Sequence, residues 1–75
     1  AGYIYYDDAP LAEITKAIGR WYNVNIDFER CELYHIRLNF WANKNTHLDE
    51  ALELLNKLEK VQVDYQDGTI TIKQI

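Results

Sequence analysis

Cysteine, glycine, methionine and clustered positive charge are all scarce in this chain, and each shortage closes off a class of function. Cys31 is the one cysteine, so no internal disulfide staples the fold, and a lone thiol reports no redox compartment. Gly2, Gly19 and Gly68 are the three glycines, too scattered to form a loop that cradles phosphate. Eight Lys and Arg stand against twelve Asp and Glu, for a net charge of −4. No basic run exceeds two residues, which argues against nucleic acid or an anionic membrane as the main partner, because phosphate binding needs clustered cations. The longest apolar run is far too short to span a bilayer, so any membrane helix is expected outside these residues. Methionine is absent and the chain opens Ala1-Gly2. The expectation is a piece of a longer protein, or the product of a trimmed tag.

What is present reads as one small domain over residues 1–75. A chain of this size buries only about 60% of its unfolded surface, so its stability is expected to be marginal. Hydrophobic residues at 48% and charged residues at 27% fit a globular protein and are too apolar for disorder.

Tyr3-Ile4-Tyr5-Tyr6 is aromatic and β-branched and predicts a first strand. Tyr3 and Tyr5 alternate away from Ile4 and Tyr6, toward an exposed face. Asp7-Asp8-Ala9-Pro10 then reads as a turn, with Pro10 in the first turn of a helix and Asp8 at its positive end. Leu11, Ile14, Ala17, Ile18, Trp21 and Tyr22 recur with helical period, which puts Trp21 in the core. Gly19 inside this helix costs roughly 1 kcal/mol relative to Ala and points to close packing. Val24, Ile26 and Phe28 alternate with Asn25, Asp27 and Glu29, the pattern of a half-buried strand.

After a connector at Arg30-Cys31-Glu32, residues 33–42 read as a third strand. Ile36, Leu38 and Phe40 face inward; His35, Arg37, Asn39 and Trp41 face outward. Thr46 reads as a helix N-cap with Asp49 three residues on, a near capping box. Leu48, Ala51, Leu52, Leu54, Leu55 and Leu58 form the second helical stripe. Residues 61–65 alternate again, Gln66-Asp67-Gly68 carries a hairpin turn signal, and residues 69–72 return.

An internal repeat organises these elements, at an offset of 37 residues. Leu11 matches Leu48, Ile14 matches Ala51, Ile18 matches Leu55 and Trp21 matches Leu58. Val24, Ile26, Asp27 and Phe28 match Val61, Val63, Asp64 and Tyr65. The predicted fold is therefore α+β, two βαβ units with a C-terminal β-hairpin. Ala17 and Leu54 widen each helical stripe to roughly 140–160°, so the helices are expected in the middle of the domain.

No residue cluster points to catalysis, a metal or a cofactor. Cys31 and His35, if extended, lie about 13 Å apart at about 3.3 Å per residue, too far to share an ion. Asp7, Asp8, Asp49 and Glu50 suit helix N-termini, and Glu53 and Lys57 form an i, i+4 pair. Binding of another protein domain is left, with Tyr34, His35, Arg37, Asn39 and Trp41 as the candidate contacts, because exposed Trp and Arg anchor interfaces.

Tyr6-Asp7-Asp8-Ala9-Pro10-Leu11, Ile14, Arg20-Trp21-Tyr22-Asn23-Val24 and Ile26 resemble the C-terminal domain of FecR-like anti-sigma regulators of the Bacteroidetes type. Leu48-Asp49-Glu50-Ala51-Leu52-Glu53-Leu54-Leu55, Val63-Asp64-Tyr65 and Gly68-Thr69-Ile70-Thr71-Ile72 extend the resemblance over nearly the whole chain. It implies a fold like the short N-terminal domain of secretins and TonB-dependent receptors, with two helices side by side between two small sheets. It also implies a single-pass inner-membrane protein. The periplasmic end receives a signal from the signalling domain of a TonB-dependent transporter, and the cytoplasmic end controls a sigma factor. Two other readings compete: the signalling domain of a TonB-dependent receptor or secretin itself, and a small-molecule-binding regulatory domain.

Overall fold

Alternating and helical apolar patterns resolve into seven elements: β1 (Tyr3–Pro10), α1 (Leu11–Tyr22), β2 (Asn25–Phe28), β3 (Arg37–Asn43), α2 (Leu48–Lys57), β4 (Val61–Gln66) and β5 (Thr69–Gln74). A 3₁₀ turn over Cys31–His35 joins β2 to β3. These bounds come from a computed structural model, which describes residues 2–75. β1 pairs antiparallel with β3 in a two-stranded sheet. β5 lies between β2, parallel to it, and β4, antiparallel to it, in a three-stranded sheet. Each βαβ unit thus sends its first strand to one sheet and its last strand to the other.

The helices fill the space between. α1 packs on β1 and β3 of one sheet and on β2 of the other, and α2 packs on β3 and β4. Ile4, Leu38, Phe40 and Ala42 from the first sheet and Val61, Val63, Ile70 and Ile72 from the second are buried together with Leu11, Ile14, Ile18, Ala51, Leu52 and Leu55 of the helices. A fully buried Ile or Leu contributes about 1.5–3 kcal/mol of transfer free energy, so these residues dominate the stability of the domain. Thr15 is the one buried polar residue among those described, and its hydroxyl donates to the Leu11 carbonyl at 2.9 Å. Close packing at Gly19 is also real: a Cβ there would stand 3.1 Å from the Val24 carbonyl oxygen. Asp67 and Gly68 both take positive φ in the two-residue β4–β5 turn, the backbone that matches strand twist in a tight hairpin.

Five expectations are corrected. β1 does not stop at Tyr6 but bulges at Asp7-Asp8 and resumes at Ala9. Pro10 occupies the N-cap with no side-chain cap, and Asp8 is part of the bulge at φ 51°. The third strand starts at Arg37, because the chain first winds through the 3₁₀ turn. Leu33 to Ile36 is a step of three, not two, and the tighter turn buries Leu33. His47, not Thr46, is the N-cap of α2; Glu50 reaches back to accept the His47 N–H at 3.0 Å. The Thr46 hydroxyl is occupied with Asn43, accepting its N–H at 3.1 Å. Lastly, Trp21 lies at the surface, 37% exposed, with Leu54 and Leu58 similarly placed. The wide stripes therefore overstate the buried arc.

Two polar contacts tie helices to the rest. The Asn56 side chain on α2 accepts the Val63 N–H at 2.8 Å and donates to the Val63 carbonyl at 3.2 Å, occupying the outer edge of β4. The Tyr22 hydroxyl at the end of α1 donates to the Thr46 carbonyl at 2.6 Å, just before α2. Burial, and secondarily the Glu50 carboxylate, push the Tyr22 phenol above its ordinary range.

Replacing Asn56 with Ala removes both bonds to Val63. At about 0.5–1.5 kcal/mol per bond and roughly 4–8 °C per kcal/mol for a domain this small, thermal denaturation should show a loss of roughly 4–24 °C. Tyr22→Phe should lower the melting temperature by several degrees at neutral pH. A raised folded-state pKa stabilises fully below about pH 10 and is lost as pH rises through it, so the gap between wild type and Tyr22→Phe should narrow above about pH 10. Melting curves from pH 7 to 11 check this.

Candidate protein-binding site

Side chains on a strand alternate between faces, and in the two-stranded sheet this sends Tyr3 and Tyr5 of β1 and Arg37, Asn39 and Trp41 of β3 outward. The register sets Tyr5 directly across from Trp41. Lys44 N–H donates to the Gly2 carbonyl at 2.9 Å, so by alternation the Tyr5–Trp41 pair is non-hydrogen-bonded, the kind in which side chains approach most closely. Both rings remain largely in solvent, Tyr5 at 62% and Trp41 at 52% exposure.

Around this pair runs a groove of about 380 Å³ lined by Tyr5, Tyr6, Asn39, Phe40, Trp41, Leu54 and Leu58. Only Asn39 among them carries a side-chain amide; the two tyrosines add hydroxyls and Trp41 an indole N–H, and Phe40, Leu54 and Leu58 are apolar. Leu54 and Leu58 are one turn apart and give α2 an apolar shoulder beside the aromatic face. A contiguous exposed apolar surface of this kind marks an interaction site more often than a scattered leucine does. The sequence pattern puts Leu54 at the margin of the helical stripe and Leu58 within it; Leu58 lies on the Ala51–Leu55 line by rotation but is the C-cap residue, past the last turn of α2.

Arg37 and Asn39 have work inside the chain. Asn39 Oδ1 accepts the Asp8 N–H at 2.7 Å, Arg37 Nη2 donates to the Asp8 carbonyl at 2.7 Å, and Arg37 Nε donates to Asp8 Oδ1 at 3.2 Å. Three bonds from β3 thus hold Asp8 in its left-handed conformation and shape the bulge of β1. The ion pair itself is solvent-exposed on both sides and adds little Coulombic stability. Its effect is geometric.

The other two candidates sit elsewhere. Tyr34 and His35 belong to the 3₁₀ turn, and the Tyr34 ring stands edge-on to Phe28 of β2, centroids 4.6 Å apart. The structure therefore brings Arg37, Asn39 and Trp41 onto one face and leaves Tyr34 and His35 off it. Cys31 is exposed, its thiol 3.7 Å from Glu32 Oε1. Hydrogen bonding by the backbone N–H of Glu32, then by this thiol, holds the Glu32 carboxyl below its ordinary range. Because Cys31–His35 is a 3₁₀ turn, its rise is about 2.0 Å per residue, shorter than the extended spacing expected. Still, no group of three or more His, Cys, Asp or Glu able to hold a metal forms among the described residues.

Two helices between two small sheets define a small α+β domain with an exposed aromatic face. The chain belongs to the FecR C-terminal family, whose model matches residues 3–72. Among solved structures, a candidate anti-sigma factor from Parabacteroides distasonis shares the fold, with a TM-score of 0.81 over 99% of this chain at 14% identity. The chain spans 34% of that protein, and at this identity the likeness is one of fold. No curated protein matches the sequence significantly. No helix is long and apolar enough to cross a membrane among the described residues.

Trp41→Ala should lower the melting temperature by only a few degrees, the cost of the cross-strand contact with Tyr5, since half the residue is already in water. Asn39→Ala, which frees the Asp8 N–H, should cost about 1 kcal/mol and several degrees. A large fall for Trp41→Ala would show the ring to be part of the core.

Proposed function

We propose that this chain is a periplasmic signal-relay domain of a FecR-like anti-sigma regulator, docking the signalling domain of a TonB-dependent outer-membrane transporter. The observation that carries the reading is the exposed Tyr5–Trp41 pair with the apolar groove beside it, on a chain whose family is FecR C-terminal. An aromatic anchor next to a groove is how interfaces concentrate binding energy. Trp41 is the central contact, and Asn39 and Arg37 flank it on the same face, while Tyr34 and His35 of the 3₁₀ turn lie off this face and outside the proposed footprint. In the full-length protein a membrane helix outside these residues holds the domain at the inner membrane, and a cytoplasmic segment governs a sigma factor.

The groove volume, about 380 Å³, is within the range of ligand pockets and keeps a small-molecule-binding reading as the rival. That rival predicts a ligand-dependent rise in melting temperature across a metabolite panel.

Titration calorimetry against the isolated signalling domain of a TonB-dependent transporter from the same organism tests the proposal. Binding is expected, and Trp41→Ala should weaken it by roughly ten-fold or more, as hot-spot truncations do. Absence of binding to any such domain, or equal affinity of wild type and Trp41→Ala, contradicts it.

A further inference from the structure

Two small sheets leave four outer strand edges, and an edge is a row of backbone donors and acceptors that another chain can pair with. The chain engages groups on three of them, although Asn39 and Trp41 of β3 and Tyr3 and Tyr5 of β1 keep outward N–H and C=O groups without partners among the described residues. On β4, Asn56 takes the outward groups of Val63. On β3, Lys60 Nζ donates to the Arg37 carbonyl at 3.2 Å, and Thr46 takes both backbone groups of Asn43. On β1 the bulge breaks the edge after Tyr6, and Pro10 has no N–H to offer.

β2 is open. Its Asn25 N–H donates to the Gly68 carbonyl and Glu29 N–H to the Ile72 carbonyl, both at 2.9 Å. In a parallel ladder alternate residues address the same neighbour, so Ile26 and Phe28 turn their N–H and C=O groups away from β5. None of these four groups has a hydrogen-bond partner among the described residues. Beside this edge, between it and α1, lies a groove of about 510 Å³. Gly19, Ile26 and Phe28 give it an apolar floor, and Tyr34 adds a ring. Lys16 and Arg20, one turn apart on α1, also line it. Neither has a carboxylate partner among the described residues, whereas Arg37, Lys57 and Lys73 each have one.

We infer that β2 is a docking edge for an extended acidic segment of a partner protein. The segment adds as a fourth strand to the three-stranded sheet and sets carboxylates against Lys16 and Arg20. The inference rests on the reading of this domain as a protein-binding module, and it names a surface other than the Trp41 face. Backbone pairing supplies affinity and the two cations supply selection, the division of labour in strand addition. A second copy of this chain fits less well. Pairing β2 with its own copy about a two-fold axis brings four cations to one seam.

NMR of the ¹⁵N-labelled chain with two short probe peptides tests this, one alternating Val with Glu, the other Val with Lys. The Glu peptide should shift the Ile26 and Phe28 amides, slow their hydrogen exchange, and bind roughly ten-fold tighter than the Lys peptide. Lys16→Glu combined with Arg20→Glu, both at exposed positions, should reverse the preference. Unprotected Ile26 and Phe28 amides, equal response to both peptides, shifts confined to the Trp41 face, or dimerisation through β2 without peptide would each overturn it. Transporter-domain binding that falls with Trp41→Ala does not bear on β2. Probe binding at β2 without any transporter-domain binding retains this inference and removes the earlier one.

Discussion

Because the first and last strands of each βαβ unit lie in different sheets, neither sheet has a covered inner face until both helices are packed. Leu11, Ile14 and Ile18 of α1 and Leu55 of α2 are fully buried against Val61, Ile70 and Ile72, and this shared apolar layer is what makes one domain of two small sheets. A two-stranded sheet is marginal by itself in water. The β1–β3 pair is stable here because Ile4, Leu38, Phe40 and Ala42 close over the helices. Nothing covalent assists, since Cys31 is unpaired.

The same construction has a cost at the periphery. Five short strands split into two sheets give more edge per residue than one five-stranded sheet, and edges invite pairing with other chains. Side chains from nearby elements answer this locally. Asn56 reaches from α2 to β4, Thr46 from the α2 approach to β3, and Lys60 from the α2–β4 connection to Arg37. The bulge at Asp7-Asp8 serves the same end on β1 and is held by two β3 side chains, Arg37 and Asn39. Residues first read as contact candidates for a partner are therefore also part of the sheet's own geometry.

What could be read from the chain was what repeats or alternates. Helix starts at Leu11 and Leu48, the strands after them, and the Asp67-Gly68 hairpin all follow from local pattern. The outward aim of Trp41 follows too, since alternation within β3 does not depend on where the strand begins. The 3₁₀ turn escaped because Leu33 fits an extended reading as well as a turned one until its burial is known. The β1 bulge escaped for a different reason: Asp8 takes positive φ only because Arg37 and Asn39, about thirty residues on, hold it there. Trp21 was misplaced because a helical stripe shows periodicity and not how far the covering sheets extend. The groove combines β1, β3 and α2, and no single stretch of sequence contains it.

The interior is filled by apolar side chains, and no buried polar side-chain atom is left unpaired among the described residues. The Tyr5–Trp41 face belongs to the two-stranded sheet and the open β2 edge to the three-stranded one, and the two sheets communicate through the helices that pack on both. A partner that adds a strand to β2 orders the strand beside α1. A partner that covers Trp41 contacts α2 through Leu54 and Leu58. Each binding event stabilises the folded domain by mass action, and in a domain of marginal stability that increment is a large fraction of the total. Occupancy at either surface would therefore raise the stability of the shared helical layer, the physical route by which a module of this size would pass a binding event on.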